Sequence, residues 1–350
     1  MERPVWHTLA DAGEAARAAL SAADWDHLMT GAEEEASNRI ARAAFERWSF
    51  LPRVLRSVPR PALATRLAGV ELALPLLVAP VGTHALFHPD AEPATVAGAA
   101  AAGALPVIST MSSVAFATAG AGGAPWLIQL YPFEDRGLVR EIAHEAIAAG
   151  ARGAVLTADV PVLGRRVRDR RRGFRSGVDA RPYLQQELSR RGLASFWEGW
   201  SAEYRWDDVA ALAQELPVPL IVKGLLHPTD ARLAHEAGAV AVWVSAHGGR
   251  QLDHAIAPLD ALPAIAAELD GALPVVFDGE VRSGADVAKA LALGADAVAL
   301  GRPAIWGLAA AGGDGVTAVL ELVAAQLESV AALVGVGAVG ELGREHLHRI

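Results

Sequence analysis

The chain contains no cysteine among its 350 residues. That excludes disulfides, thiolate metal sites and iron–sulfur clusters, and it agrees with a reducing cytoplasm. Basic residues are the minority: 31 Lys and Arg against 40 Asp and Glu leave a formal charge of −9, unlike the balance of a dedicated nucleic-acid binder. The longest apolar stretches, around residues 93–107 and 317–339, are interrupted by Gly and Pro or by Glu321 and Glu328. Neither offers the roughly 20 uninterrupted residues of a membrane helix. Met1 to His7 lack the apolar centre of a signal peptide, and no histidine spacing suits a metal. The expectation is a cytoplasmic protein with no metal, no membrane and no nucleic-acid partner.

Hydrophobic residues make up 52% of the chain, enough for one large barrel or two ordinary domains. From residue 76 onward, short apolar runs alternate with Ala-rich segments of helical period. The runs are Leu76–Val81, Leu105–Thr110, Trp126–Tyr131, Gly153–Asp159, Pro219–Gly224, Val240–Ser245, Pro274–Gly279 and Ala297–Gly301. Each is apolar on both faces, as buried parallel strands are. Eight such units predict an α/β fold, a closed (β/α)8 barrel of the TIM type, with its active site at the C-terminal ends of the strands. Ser109, Tyr131, Asp159, Lys223, His247, Asp278 and Arg302 all fall at or just past a strand end. One domain is expected over residues 1–350. Residues 1–75 read as a helical lead-in feeding a barrel lid. Residues 160–215 read as a long insertion after strand four, starting with a basic run from Arg165 to Arg175 and continuing through Tyr183, Trp197, Trp200 and Trp206. Apart from Arg166, that run reads as a solvated loop start; loops so long in a barrel are usually lids or binding loops.

The densest chemistry lies in Val242–Asp253, where a β-branched run stops and delivers His247 and Arg250 with Gly248 and Gly249 between them. Histidine moves protons near neutral pH and arginine holds a carboxylate with a fixed fork of donors. The pair suits holding and deprotonating a small acid. Strands seven and eight end in Asp278-Gly279-Glu280-Val281-Arg282 and Gly301-Arg302-Pro303, where barrels commonly hold a phosphate on backbone N–H groups and a helix N-terminus. No G-x-G-x-x-G opens an early strand–helix unit, which argues against a Rossmann module.

Several further motifs stand in order along the chain: Gly31-Ala32-Glu33, Ala79-Pro80-Val81-Gly82, His88-Pro89-Asp90, Ser109-Thr110-Met111-Ser112-Ser113, Gln129-Leu130-Tyr131, Thr157-Ala158-Asp159, Gly164-Arg165-Arg166 and Val222-Lys223-Gly224. Together with the His247 segment, the chain resembles the FMN-dependent α-hydroxy acid oxidase and dehydrogenase family, which includes glycolate oxidase, lactate oxidase and mandelate dehydrogenase. The resemblance implies FMN as cofactor and oxidation of an (S)-2-hydroxy acid to a 2-oxo acid. Oxygen is favoured over another electron acceptor, because the segment after strand four is basic and polar. A homo-oligomer, a tetramer by family habit, is implied as well. Ala79, Pro80 and Val81 would lie against the flavin, and Ser109, Gln129 and Thr157 would bond its pyrimidine edge. Lys223 would stand near N1 and O2, where a cation stabilises the charge of the reduced ring. Asp278 would meet the ribityl chain, and Gly279, Glu280, Arg282, Gly301 and Arg302 the phosphate. At the reacting centre His247 would be the base, Asp159 its partner, Tyr131 a hydrogen-bond donor to the substrate hydroxyl, and Arg250 with Arg166 the carboxylate clamp.

Three positions depart from the family pattern. His27 stands where a tyrosine usually helps hold the substrate, Ala246 where an asparagine precedes the histidine, and Glu280 where the phosphate loop usually has glycine. The carboxylate of Glu280 is expected to point away from the phosphate. The departures suggest an unusual substrate or modified activity, and the Trp-rich insertion with Met111 leaves room for a bulky or aromatic side chain. His27 and Ala246 favour a relative that tailors a biosynthetic intermediate as the alternative; a flavin-binding barrel without turnover is a further one, against which Tyr131, Asp159, Lys223, His247 and Arg250 all speak. Non-redox FMN chemistry, as in the barrel isopentenyl diphosphate isomerases, ranks lower because it leaves His247 and Arg250 without a purpose.

Overall fold

The computed structural model describes residues 3–58, 60–174 and 201–350. Local capping starts the chain's first helices. Thr8 and Asp11 form a reciprocal capping box at α1 (Leu9–Ala19), and Ser21 accepts from the Asp24 amide at α2 (Ala22–Met29), satisfying amides that a helix start leaves unpaired. Next come α3 (Ala36–Glu46) and three short strands, β1 (Trp48–Phe50), β2 (Thr65–Leu67) and β3 (Val70–Leu72). The lead-in is therefore not purely helical. Its strands are too short for an alternating pattern to announce them.

All eight predicted barrel strands are present: β4 (Leu76–Val78), β5 (Leu105–Ser109), β6 (Leu127–Leu130), β7 (Ala154–Thr157), β8 (Leu220–Leu225), β9 (Ala241–Val244), β10 (Val275–Phe277) and β11 (Ala297–Leu300). They are parallel, and β11 pairs with β4 to close the barrel. Alternate side chains obey the two-residue period of a strand. Leu77, Val107, Val155, Ile221, Trp243 and Ala299 fill the interior, while Val78, Ile108, Ile128, Val222 and Val244 meet the surrounding helices. The β2–β3 hairpin adds Leu67 and Leu72 to the interior cluster, next to the first residues of β5, β6, β9 and β11. It plugs the floor of the barrel.

The described helices around the barrel are α4 (Ala91–Ala101), α5 (Phe116–Ala119), α6 (Arg136–Ala148), α7 (Val167–Arg172), α8 (Trp206–Glu215), α9 (Pro228–Glu236), α10 (Pro258–Leu269), α11 (Gly284–Ala292) and α12 (Arg302–Val334). By length and composition α12 could cross a membrane; it takes in much of the stretch at 317–339, whose apolar run Glu321 and Glu328 interrupt. It breaks at Ala311 and Gly312, and it buries Trp306, Leu308, Val316, Leu320 and Leu327 against α1 and α4. A last strand, β12 (Leu347–Arg349), pairs antiparallel with β1.

The expected insertion at 160–215 is shorter than it looked, since α8 is the regular helix between β7 and β8. Tyr183, Trp197, Trp200 and Arg175 lie outside the described residues. Trp206 begins α8 and packs half-buried on the core. The basic run is also not simply solvated. Arg168 pairs with Glu35 at 2.5 Å and Asp26 at 3.6 Å, and Arg172 pairs with Asp26. Acidic residues of the lead-in bind this run because α7 lies across α2.

Candidate active site

The C-terminal strand ends open into a cavity of about 550 Å³. Every predicted site residue lines it except Ser109 and Asp159, and these two stand directly behind residues that do. Strand register sets the wall: Ser109 is paired with Gln129 across β5 and β6, and Thr157 with Lys223 across β7 and β8. Ser109 Oγ donates to Gln129 Oε1 at 3.0 Å, and Gln129 Nε2 donates to Thr157 Oγ1 at 3.0 Å. Ser109 thus orients Gln129 from behind.

At one end, His247, Gly248 and Gly249 follow one another in the left-handed region, with φ of 54°, 63° and 71°. A Cβ on Gly249 would sit 2.3 Å from Asn38 Oδ1, so only glycine lets α3 approach this turn. His247 Nδ1 lies 2.9 Å from Asp159 Oδ1. With the Nδ1 proton on that bond, the lone pair is on Nε2. Asp159 fits because residue 224 is glycine: a Cβ there would fall 2.6 Å from its carboxyl carbon. Burial pushes the Asp159 carboxyl up, but His247 and Lys223 pull harder and leave it below the ordinary aspartate range. Burial pushes the Tyr131 phenol up to about 12, so it remains a proton donor at neutral pH.

Two guanidiniums converge beside this pair. Arg250 Nη1 donates to the carbonyls of His27 (2.8 Å) and Thr30 (2.9 Å), and Arg166 Nε is buried without a hydrogen bond. Neither has an ion pair with a carboxylate among the described residues. Burial, then the neighbouring Arg166 and Arg302, hold Arg250 well below the usual arginine range, and burial lowers Arg166 as well. An anion at this point would relieve both. His27 stacks on Phe174 with ring centres 4.2 Å apart, and its Nδ1 is 2.9 Å from Asp169 Oδ2. Burial outweighs Asp169 and lowers its pKa, which keeps the imidazole neutral at neutral pH.

In the middle, Lys223 Nζ donates to Ser245 Oγ at 2.7 Å and lies 3.1 Å from Asp278 Oδ2. Asp278 also accepts from Ser245 Oγ at 2.8 Å and from Trp243 Nε1 at 2.9 Å. Its carboxylate is already occupied with fixing the lysine.

At the far end, Glu280 departs from the expectation: its carboxylate does not point away. Glu280 Oε1 accepts from Arg302 Nη1 at 2.7 Å and from Asn38 Nδ2 at 2.9 Å, and Oε2 accepts from Arg282 Nη2 at 2.6 Å. Two cations within reach are a stronger attraction than open solvent. Glu280 also adopts a left-handed φ of 54°. Arg42 donates to the Glu280 carbonyl and binds Asp286 through both nitrogens, at 2.6 and 3.0 Å.

Asn38, Arg42, Asp169, Phe174 and Ser245 belong to the site but were not singled out from the sequence. Asn38 and Arg42 share one face of a helix, a spacing visible in the sequence; which face meets the barrel is not. The donor set suits an elongated ligand. Gln129, Thr157 and Lys223 match a flat head with a polar edge. The glycine-bearing loops at 279 and 301 and the uncapped start of α12 match an anionic tail.

The sequence pattern of FMN-dependent dehydrogenases matches residues 16–349. An L-lactate oxidase of Nostoc sp. is 41% identical, covering 95% of each chain. A 4-hydroxymandelate oxidase of Amycolatopsis orientalis is 40% identical over 96% of this chain and 97% of its own. Among solved structures, a mandelate oxidase crystal structure superposes with a TM-score of 0.91 at 38% identity, covering 99% of both chains.

Proposed function

Because the chain belongs to the FMN-dependent dehydrogenase family, we propose that it is a 2-hydroxy acid oxidase, converting an (S)-2-hydroxy acid to the 2-oxo acid and reducing oxygen to hydrogen peroxide. The observation that carries this reading is a half-buried His–Asp pair beside two guanidiniums with no carboxylate partner among the described residues. Such a site calls for a small acid and a proton transfer. FMN, when bound, supplies the two-electron oxidant for the α-carbon and is reoxidised by oxygen. Ala79, Pro80 and Val81 would lie against its ring, Gln129 and Thr157 would meet its polar edge, and Lys223 would stand where negative charge gathers. Gly279, Gly301 and the neighbouring amides would face its phosphate.

Arg250 and Arg166 hold the substrate carboxylate, and Tyr131 donates to the α-hydroxyl. His247 Nε2 takes a proton as the α-carbon is oxidised, and Asp159 stabilises the resulting imidazolium. His27 is held neutral and acts through shape and hydrogen bonding rather than charge. The walls contributed by Leu28, Met111 and Phe174 are apolar and favour a substrate with a large or aromatic side chain, as the mandelate oxidase relatives suggest. A homo-oligomer, tetrameric by family resemblance, belongs to the same reading, and light scattering of the purified protein tests it.

The test is anaerobic addition of (S)-mandelate, (S)-lactate and glycolate to the yellow protein. Bleaching of the flavin band is expected, fastest with mandelate. Bleaching by none of the three would overturn the reading. Equal rates with glycolate and mandelate would remove the side-chain preference alone.

A further inference from the structure

Glu280 lines the cavity without a part in the proposed reaction. It occupies a left-handed position, where a residue other than glycine is disfavoured. Its side chain is nonetheless half-buried and bonded through both oxygens to Arg282, Arg302 and Asn38. Burial opposes its charge, yet Arg282 and Arg302 hold it below the ordinary glutamate range, so at neutral pH it is a carboxylate.

The two arginines have little left to offer. Arg302 donates from Nε to the Leu28 carbonyl and from Nη2 to the carbonyls of Thr30 and Gly248, while Nη1 serves Glu280. Arg282 Nη1 donates to the Val281 carbonyl, and its guanidinium lies over the Trp306 ring. The third cation, Arg42, is paired with Asp286. Among the described residues, the cations poised for an anionic tail therefore already share an internal anion, and a phosphate arriving there would meet like charge.

Resting on the flavin reading of this cavity, we propose that Glu280 acts as a built-in counter-ion in the phosphate pocket. The phosphate of FMN then adds little to binding, and the protein accepts riboflavin, the same ring and ribityl chain without the phosphate, nearly as well. The cofactor is exchangeable rather than locked in, and its affinity comes mainly from the ring end of the cavity.

The experiment titrates the full-length protein, stripped of flavin, with FMN and separately with riboflavin, following quenching of flavin fluorescence. It is run on the wild type, Glu280→Gln and Glu280→Gly. The first variant removes the charge at nearly constant size; the second also relieves the left-handed backbone. The expected result is that the preference for FMN over riboflavin rises at least about tenfold in both variants, as charge-assisted bonds pass from carboxylate to phosphate. Riboflavin affinity should stay within about twofold of wild type in both, which also shows that the variants are folded. A preference that rises by less than this in the variants overturns the role of Glu280 while leaving the flavin site standing. Binding of neither flavin by any of the three proteins overturns the flavin reading, and this proposal with it.

Discussion

Two pairs of half-buried arginines line one cavity, and their surroundings differ. Arg250 and Arg166 stand at the reacting end with no carboxylate partner among the described residues, and burial lowers both. Arg282 and Arg302 stand at the far end, joined by a carboxylate from their own loop. The first pair is built to need a visitor and the second has one already. Burying guanidiniums without an anion costs stability, so the reacting end stores a demand that a substrate acid can satisfy. The far end has little such demand. One groove thus carries an unmet demand for an anion at its reacting end and a met one at its far end.

If the ends act independently, a change at the reacting end leaves flavin affinity alone. The largest expected effect is from His247→Ala, which should slow anaerobic flavin reduction by about 10³-fold or more while flavin titration stays within about twofold. Retained rapid reduction would remove His247 as the base. Asp159→Asn should slow reduction by about a hundredfold through loss of the partner that steadies His247. Its stability signature has a definite sign. The folded value of Asp159 lies below the unfolded one, so its contribution is complete above about pH 4 and is lost as pH falls through the lower folded value. Denaturation midpoints of wild type and variant should differ most at neutral pH and converge on acidification.

Arg250→Lys replaces a fork by a point charge and should raise KM for the acid by about 30- to 100-fold. An unchanged KM would move the carboxylate to Arg166. The smallest effect is expected from Arg168→Ala, which cuts half-exposed ion pairs to Asp26 and Glu35 and should lower Tm by no more than about 2–4 °C. A larger drop would mean that the α2–α7 contact supports the reacting end more than its exposure suggests.

Much of this was legible from the residues. Eight strands announced themselves because parallel strands are apolar on both faces, and polar residues gathered where those runs stopped. The His247–Arg250 segment and the glycines at 279 and 301 marked both ends of the cavity. The hidden parts depend on how separate elements dock. Ser109 and Asp159 sit one residue behind the wall, a distinction that strand position alone does not make. Asn38 reaches Glu280 across 242 residues of sequence, and no local pattern in α3 reports which loop it will meet. Glu280 was recognised as out of place, but its carboxylate was expected to point away from the phosphate. Only with Arg302 brought beside Arg282 does the inward direction become the favourable one. The β1–β12 pair was invisible for a simpler reason, since three residues are too few to show a period.

The left-handed turn at His247 also bears on how this barrel can change over generations. Few side chains are comfortable at a φ of 54°; asparagine is one of them. Histidine and asparagine codons differ by a single base. A copying error at this codon can therefore produce a barrel that still folds and still takes up its yellow cofactor, yet has lost its base. An enzyme and a silent pigment protein lie one nucleotide apart, and the backbone geometry offers little resistance to the step.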